Sequence, residues 1–240
     1  MKALQTNTKA KTIYVREGTY DIYEELGGDA FIDTITTPSS MNWRDVNPVV
    51  PPNTKVIGLG NVTLSFAPTA TQIKNDDMAF LFSPLNISGN CRIENISVFG
   101  KNCRYAIHDE ASALNQYAEN VHEYVNVRVR KEHGSYGGVQ AFGSGMGRRS
   151  RWMFESCEFS SDRENVWTVH TTISSANDLS TIVLNNCIIQ RDSATGSVMQ
   201  LITGDSTHQS TENIVKLNNC YMNGAVDLTT DTVGQVTQKY

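Results

Sequence analysis

The chain has 240 residues, of which 39% are hydrophobic and 19% charged, with a formal net charge of −5 and a pI of about 5.5. This is the composition of a globular chain long enough to bury a large core, and the acidic balance argues against a nucleic-acid partner. No apolar run approaches transmembrane length, and the opening stretch MKALQTNTKAKTIYV lacks the apolar core of a signal peptide. We therefore expect no membrane insertion, and synthesis in the cytoplasm without a signal peptide.

The first recognisable element is the stretch KTIYVREGTYDIYEEL, residues 11–26, in which apolar and polar residues alternate on both sides of Gly18. This pattern predicts a strand, a glycine turn and a second strand. Residues 27–55 show no period and are rich in turn formers, ending at Pro51 and Pro52. Residues 1–55 are therefore predicted to form an N-terminal strand and cap segment.

A short unit then recurs along the chain as GLGNVTLSF, RIENISVFG, EYVNVRVRK, MFESCEFSS, VLNNCIIQR and KLNNCYMNG. Its polar register residues are Asn61, Asn95, Asn126, Ser156, Asn186 and Asn219. They are separated by 34, 31, 30, 30 and 33 residues, and a fixed period of this size is typical of repeat architectures. Asn tolerates the left-handed conformation of a sharp corner, and stacked Asn amides can hydrogen-bond to one another.

Around each register residue, apolar side chains alternate with mostly polar ones, which predicts a strand with one buried face. Cys157, Cys187 and Cys220 occupy the same inward position in three successive units. The chain has five cysteines and no C-x-x-C pair, a pattern that favours buried thiols over a disulfide framework or a zinc site. We therefore predict no metal and no cofactor.

Six strands of identical phase, without amphipathic helices between them, favour a coil over a sandwich. The predicted fold class is all-β, a single-stranded right-handed parallel β-helix with an N-terminal cap. Residues 56–225 would form the coils and residues 226–240 a C-terminal tail. Ile188 and Tyr221 break the polar outer face, so this patch predicts either a contact in a homotrimer or a surface covered by the tail.

The phrase IYVREGTY resembles the first segment of the pectin-lyase-like superfamily of right-handed parallel β-helices. In the middle of the chain, RYAIHDE, FGSGMG, FESCEF and VWTVHTT are similar to segments of phage tail and receptor-binding proteins with this fold. The resemblance implies a virion or extracellular appendage protein that contacts host-surface glycans, commonly as a trimer.

Three functions remain open at this point. The first is binding of a polysaccharide or glycan, and an outward basic patch that includes Arg128 and Arg130 would suit an acidic one, although alternation equally predicts solvated side chains there. The second is a polysaccharide lyase or glycoside hydrolase. Its carboxylates and arginines would come from Asp109, Glu110, Asp162, Glu164, Asp205, Arg149 and Arg151. The third is a structural spacer in a fibre.

A second set of polar residues predicts the binding site. His108, Gln140, His170 and Gln200 follow their corners by thirteen or fourteen residues, and an apolar residue precedes each of them. By alternation they should point outward as a ladder about 14 Å long, from three strand spacings of about 4.8 Å. Asp109 and Glu110 would edge this ladder, although strict alternation turns Asp109 inward unless the strand ends there.

Overall fold

The computed structural model describes residues 11–110, 120–138, 140–146, 150–163, 165–171, 180–193, 195–203, 213–230 and 236–239. Strands dominate these residues, and all the helices among them are short. The α-helices are α1 (Ile22–Leu26), α2 (Gly28–Ile32), α3 (Trp43–Val46), α4 (Ala70–Ile73) and α5 (Asp76–Ala79), and Pro38–Ser40 forms a 3-10 helix. No helix in these ranges is long and apolar enough to cross a membrane.

The strands form two sheets in which all the pairings are parallel. The larger sheet has twelve strands. They are β1 (Lys11–Asp21), β3 (Thr54–Phe66), β5 (Cys91–Lys101), β7 (Val121–Val125), β8 (Arg128–Glu132), β10 (Arg151–Glu155), β11 (Glu158–Ser161), β13 (Ser180–Asn185), β14 (Ile188–Arg191), β16 (Asn213–Asn218), β17 (Tyr221–Met222) and β19 (Val236–Lys239). The long strand β5 pairs with β7 through its first half and with β8 through its second half, so two rows of short strands continue from it.

The smaller sheet has seven strands. They are β2 (Val49–Val50), β4 (Leu85–Ile87), β6 (Ile107–Glu110), β9 (Phe142–Met146), β12 (Trp167–Thr171), β15 (Ser197–Thr203) and β18 (Ala225–Thr230). Residues predicted as a C-terminal tail therefore extend both sheets, β18 beside β15 and β19 beside β16.

The predicted fold class is corrected by this arrangement. The strands do not form an all-β single-stranded β-helix solenoid. They form two parallel sheets, the larger curled as a half-barrel, together with short helices. The sequence pattern led to a wrong fold class because equal spacing and alternation indicate only which strands lie side by side. They do not determine how the strands divide into sheets or how those sheets close.

The predicted corners are largely confirmed. Five of the six register residues have a left-handed backbone with φ between 51° and 56°: Asn95, Asn126, Ser156, Asn186 and Asn219. The sixth, Asn61, is not among them. It follows Gly60, whose φ is +93°, and the pairing of β3 with β5 jumps between Ile57 and Val62. Strand β3 therefore bulges where the other strands turn.

The stacked amides also form the predicted ladder. Asn126 Nδ2 donates to Asn95 Oδ1 at 2.9 Å, and Asn219 Nδ2 donates to Asn186 Oδ1 at 2.8 Å. Ser156 interrupts the row, and Asn186 Nδ2 donates instead to a carboxylate oxygen of Glu155 at 2.8 Å. These bonds link successive strands along the edge where the backbone turns.

The main core lies between the two sheets and is rich in aromatic rings. Tyr124 and Phe154 stack at 4.8 Å between centroids, and Phe142 and Trp167 stack at 5.4 Å. All four side chains are fully buried. Because these residues occupy alternate inward positions on neighbouring strands, the period-2 pattern has placed them in contact.

The predicted inward cysteine row is present. Cys157 and Cys187 are buried, while Cys220, near the C-terminal end of the row, is half-buried. Each thiol lies within 3.4–3.7 Å of a backbone carbonyl of a neighbouring strand, those of Tyr124, Phe154 and Leu184. These thiols therefore behave as small core side chains with a weak hydrogen bond each.

The N-terminal segment packs a second core instead of forming a bare loop. Asp21 caps α1 by accepting from the backbone N–H groups of Tyr23 and Glu24, and Thr69 and Gln72 form a capping box on α4. The helices bury a separate cluster that includes Ile22, Ile32, Phe66, Ile73 and Phe82.

Outside both cores, Ile188 and Tyr221 are paired neighbours with exposures of 38% and 59%, as alternation predicts.

Candidate functional site

The first predicted site residue, His108, is not at the surface. Its side chain is 4% exposed because the ring of Trp43, from α3, lies 4.3 Å away and that of Tyr105 lies 5.2 Å away. Alternation predicted the correct face of the smaller sheet for this side chain, but Trp43 of the N-terminal cap segment covers that face at His108. The histidine therefore lies at an interface between the smaller sheet and α3.

The four residues of the predicted ladder do not form one row. The neighbours of His108 in register are Gly143, then Thr168, then Gln200. Gln140 precedes β9, and His170 lies two residues beyond the row. The backbone of His170 is described, but its side chain lies outside the described part. Of the four, only His108 and Gln200 share a register position.

The carboxylates predicted for this site are also dispersed. Asp109 is fully buried in the core, as strict alternation requires, whereas Glu110 accepts from Arg44 at 3.0 Å. Asp162 accepts from the backbone N–H of His133 at 3.0 Å. Glu164, Asp205 and Arg149 lie outside the described residues. The structure therefore does not bring the described members of the proposed lyase cluster together.

A more open site lies on the outer face of the larger sheet, beside the corners. It consists of two adjoining depressions of about 360 and 260 Å³ that share Ser97 and Arg128. The first is lined by Gly60, Asn61, Val62, Asn95, Ile96, Ser97, Asn126 and Arg128, and the second by Thr63, Ser97, Val98, Phe99, Arg128, Val129, Arg130, Glu158 and Ser160. We call the two together the corner groove.

Strand register explains how the corner groove is built. Thr63, Ser97, Arg128 and Glu158 are direct neighbours on four successive strands, β3, β5, β8 and β11. Three strand spacings of about 4.8 Å make this row about 14 Å long. The bulge of β3 at residues 58–61 places Asn61 at one end of the groove.

The corner amides keep part of their hydrogen-bonding capacity. Asn126 and Asn95 share one bond through Asn126 Nδ2 and Asn95 Oδ1. An amide carries two N–H donors on its nitrogen and two lone pairs on its oxygen. Within the described part of the chain the oxygen of Asn126 and the nitrogen of Asn95 form no other hydrogen bond, so both can meet a ligand in the groove.

The two arginines of the groove differ in their pairing. Arg130 makes a two-pronged ion pair with Asp192 at 2.6 and 3.3 Å, and this contact raises its pKa. Arg128 is exposed and forms no ion pair or side-chain hydrogen bond with any residue in the described part of the chain. A guanidinium presents five N–H donors and stays charged, so Arg128 is a ready partner for an anionic group.

Sequence reasoning found only part of this groove. Alternation predicted that Arg128 and Arg130 point outward, and the basic patch was one reason to consider an acidic glycan. Lys131, the next basic residue, does not belong to this outward face, because alternation along β8 turns it inward: it is fully buried and its ammonium donates to the carbonyls of Glu132 and Gly138 at 3.0 and 2.7 Å. Burial lowers its pKa. The bulge of β3, which forms one wall of the groove, could have been predicted from the two glycines of the segment GLGN, residues 58–61.

A second unusual site lies inside the core, where four polar side chains meet. His122 Nδ1 lies 2.9 Å from Asp109 Oδ2 and 3.8 Å from Cys91 Sγ, and the Tyr124 hydroxyl donates to the same Asp109 oxygen. Asp109, His122 and Tyr124 are fully buried, and Cys91 is 6% exposed. Burial and the Asp109 charge together raise the pKa of both Cys91 and Tyr124 well above their usual values.

Comparison with known proteins identifies no relative: no protein-family model, no curated protein and no solved structure matches the chain. The resemblance to the pectin-lyase-like superfamily therefore stays a prediction, and the sheet arrangement contradicts the β-helix on which it depended. The phage-tail description depended on the same fold and is unsupported, while the virion or extracellular location stays a prediction.

Proposed function

We propose that the chain is a binding protein for an extended, hydroxyl-rich ligand that carries an acidic group, in chemical terms an acidic glycan, and that the corner groove is its site. The observation that carries the proposal is the position of Arg128. Its exposed guanidinium, with no partner among the described residues, lies in the middle of a groove that is also lined by amides, hydroxyls, aliphatic side chains, the ring of Phe99, the ion-paired Arg130 and the carboxylate of Glu158.

Each group in the groove suits one part of such a ligand. The amides of Asn61, Asn95 and Asn126 can donate to and accept from sugar hydroxyls. The ring of Phe99 offers an apolar surface for the C–H face of a sugar, and Arg128 can pair with a carboxylate through two parallel hydrogen bonds. A site about 14 Å long accommodates several sugar units in a row.

The groove supports binding better than hydrolysis. Glycoside hydrolases canonically place a pair of carboxyl groups on either side of the bond they cleave. Among the described residues that line the groove, Glu158 is the single carboxylate. The amide and guanidinium groups around it are suited to recognition rather than to proton transfer at neutral pH.

The experiment is a screen of the purified chain against immobilised acidic and neutral oligosaccharides, with two arginine variants. Arg128→Gln removes the charge from the groove, and Arg151→Gln removes an exposed charge from the same sheet outside the groove. A hydrogen bond to a charged group is worth about 1.5–3 kcal/mol, so Arg128→Gln should weaken binding by about tenfold or more. Arg151→Gln should leave it within about twofold.

Three results would contradict the proposal. The first is a chain that binds none of the acidic oligosaccharides, and the second is a loss of affinity that is equal in the two variants. The third is full retention of binding by a folded Arg128→Gln protein.

A further inference from the structure

The buried cluster of Cys91, Asp109 and His122 has the composition of a metal site. One potential ligand atom from each residue lies within 4.8 Å of the other two. A thiolate, an imidazole and a carboxylate are the donors that Zn²⁺ prefers in proteins. The three residues come from different strands, β5, β6 and β7, so the fold and not a local sequence motif brings them together.

The hydrogen bonding of the cluster is incomplete without a further partner. Cys91 and Asp109 both approach the same ring nitrogen, His122 Nδ1, which can make only one ordinary hydrogen bond. Asp109 Oδ1 is buried and has no hydrogen-bond partner among the described residues. A buried, unpaired carboxylate oxygen is costly, and native proteins rarely leave one.

Charge gives the same indication. A cysteine thiolate and an aspartate together carry two negative charges, which a divalent cation neutralises in a core that water does not reach. The carboxylate could offer both oxygens, so Cys91 Sγ, His122 Nδ1 and the two Asp109 oxygens would supply four donor atoms. Tyr124, which donates to Asp109 Oδ2, would hold the carboxylate in position as outer partners of metal ligands commonly do.

The distances require little movement. With bonds of about 2.0–2.1 Å to nitrogen and oxygen and about 2.3 Å to sulfur, tetrahedral donors lie about 3.4–3.6 Å apart. The observed separations are 2.9 Å between nitrogen and oxygen and 3.8 Å between nitrogen and sulfur. Shifts of about half an ångström would therefore bring His122 Nδ1 into bonding geometry with Asp109 Oδ2 and Cys91 Sγ around one cation.

We infer that Cys91, Asp109 and His122 form a structural binding site for a divalent cation of the zinc type. Cys91 and His122 are register neighbours in the larger sheet, and Asp109 belongs to the smaller sheet. The cation links the two sheets across the core. Because the cluster is buried, the cation enters while the chain folds and stabilises the folded state by its binding energy.

The test begins with the full chain refolded with and without zinc, then freed of loose metal by gel filtration. The zinc-refolded protein should retain about one zinc per chain and unfold at a higher temperature than the metal-free sample. Refolding with Co²⁺ should produce the absorption band of a cobalt–thiolate bond. Cys91→Ser should abolish that band, and His122→Gln should lower the metal content.

Cys103→Ser is the matched control, since Cys103 is also a buried free thiol but lies outside the cluster. It should retain both the metal and the cobalt band. If Cys91→Ser fails to fold, X-ray absorption at the zinc edge of the unmodified chain should still show one sulfur among the ligands. Wild-type protein that folds without retaining zinc or cobalt, a zinc shell without sulfur, or a cobalt band that survives in folded Cys91→Ser would each overturn the inference.

Discussion

Ser156 provides the sharpest test of how the corners stabilise the fold. It has the same left-handed conformation as the corner asparagines, with φ of 55°, but its short side chain breaks the amide row. We expect Ser156→Asn to stabilise the chain, because Asn tolerates this conformation better and because its amide can bond to Asn126 on one side and to Asn186 on the other.

The magnitude follows from two contributions. A left-handed backbone costs an ordinary L-residue about 1–2 kcal/mol, and we take Asn to recover about half of the lower value. The bond to Asn126 is the additional one and contributes about 0.5 kcal/mol, the low end of the usual range, because the bond to Asn186 would replace the one that Asn186 now makes with Glu155. The sum is about 1 kcal/mol, which corresponds to a rise in Tm of about 2–4 °C for a chain of this size.

The assay is thermal and urea unfolding, followed by circular dichroism, of wild-type protein and three variants. Ser156→Gly gains only the conformational part and should lie between wild type and Ser156→Asn. Ser156→Ala gains neither part and should lie at or below wild type. A folded Ser156→Asn protein with a Tm no higher than that of wild type, or one matched by Ser156→Ala, would refute the reasoning.

Three further predictions concern the cores and the cysteines. Phe154→Ala, which removes a fully buried ring, should lower the free energy of unfolding by about 3–5 kcal/mol. Phe80→Ala, at a ring that is 46% exposed, should lower it by less than about 1 kcal/mol. Equal losses of the two variants in urea titrations would contradict this assignment of the core. Burial raises the pKa of Cys103 from 9.0 to about 11, so the unfolded chain loses this proton first and stability falls as pH rises through that interval. Relative to Cys103→Ala, wild type should lose about 2 kcal/mol of stability between pH 8 and pH 11, and parallel pH profiles would show that the thiol does not titrate differently on folding. Native labelling followed by mass spectrometry should modify half-buried Cys220 well before buried Cys187, and equal rates would be inconsistent with the inward row.

The features that could be predicted from the sequence are those set by neighbouring residues. Asn95 and Asn126 were correctly predicted as corners because few residues accept a left-handed backbone, and that preference is local. Alternation placed Asp109 inward and Arg128 outward for the same reason, since successive side chains of a strand point to opposite faces.

The helices and the sheet arrangement could not be predicted in this way. Helices of four or five residues, such as α1, α3 and α4, are too short to show a helical period. Their signals were caps, Asp21 before α1 and Thr69 with Gln72 on α4, whereas the alternation after Gly18 predicted a strand over the residues that form α1. How the strands divide into two sheets depends on contacts between residues far apart in the chain, which a repeat pattern does not contain.

The predicted ladder failed at Gln140 because of one turn length. Nine residues, 133–141, separate β8 from β9, whereas five residues, 102–106, separate β5 from β6. Counting a fixed distance from each corner therefore selected Gln140, which lies in the longer turn, while Gly143 is the true neighbour of His108. The burial of His108 by Trp43 could not be predicted from the pattern either, because the two residues lie 65 positions apart in the sequence.

The contact between Arg128 and an acidic group of the ligand is the central claim, and a thermodynamic cycle measured by titration calorimetry tests it most directly. Wild type and Arg128→Gln are each titrated with an acidic oligosaccharide that binds and with the same oligosaccharide after its carboxyl groups are reduced to alcohols. If Arg128 pairs with the carboxylate, reduction should weaken binding to wild type by about 1.5–3 kcal/mol and should have little effect on binding to Arg128→Gln. Equal losses in the two proteins, with no coupling between the arginine and the acid, would contradict the account.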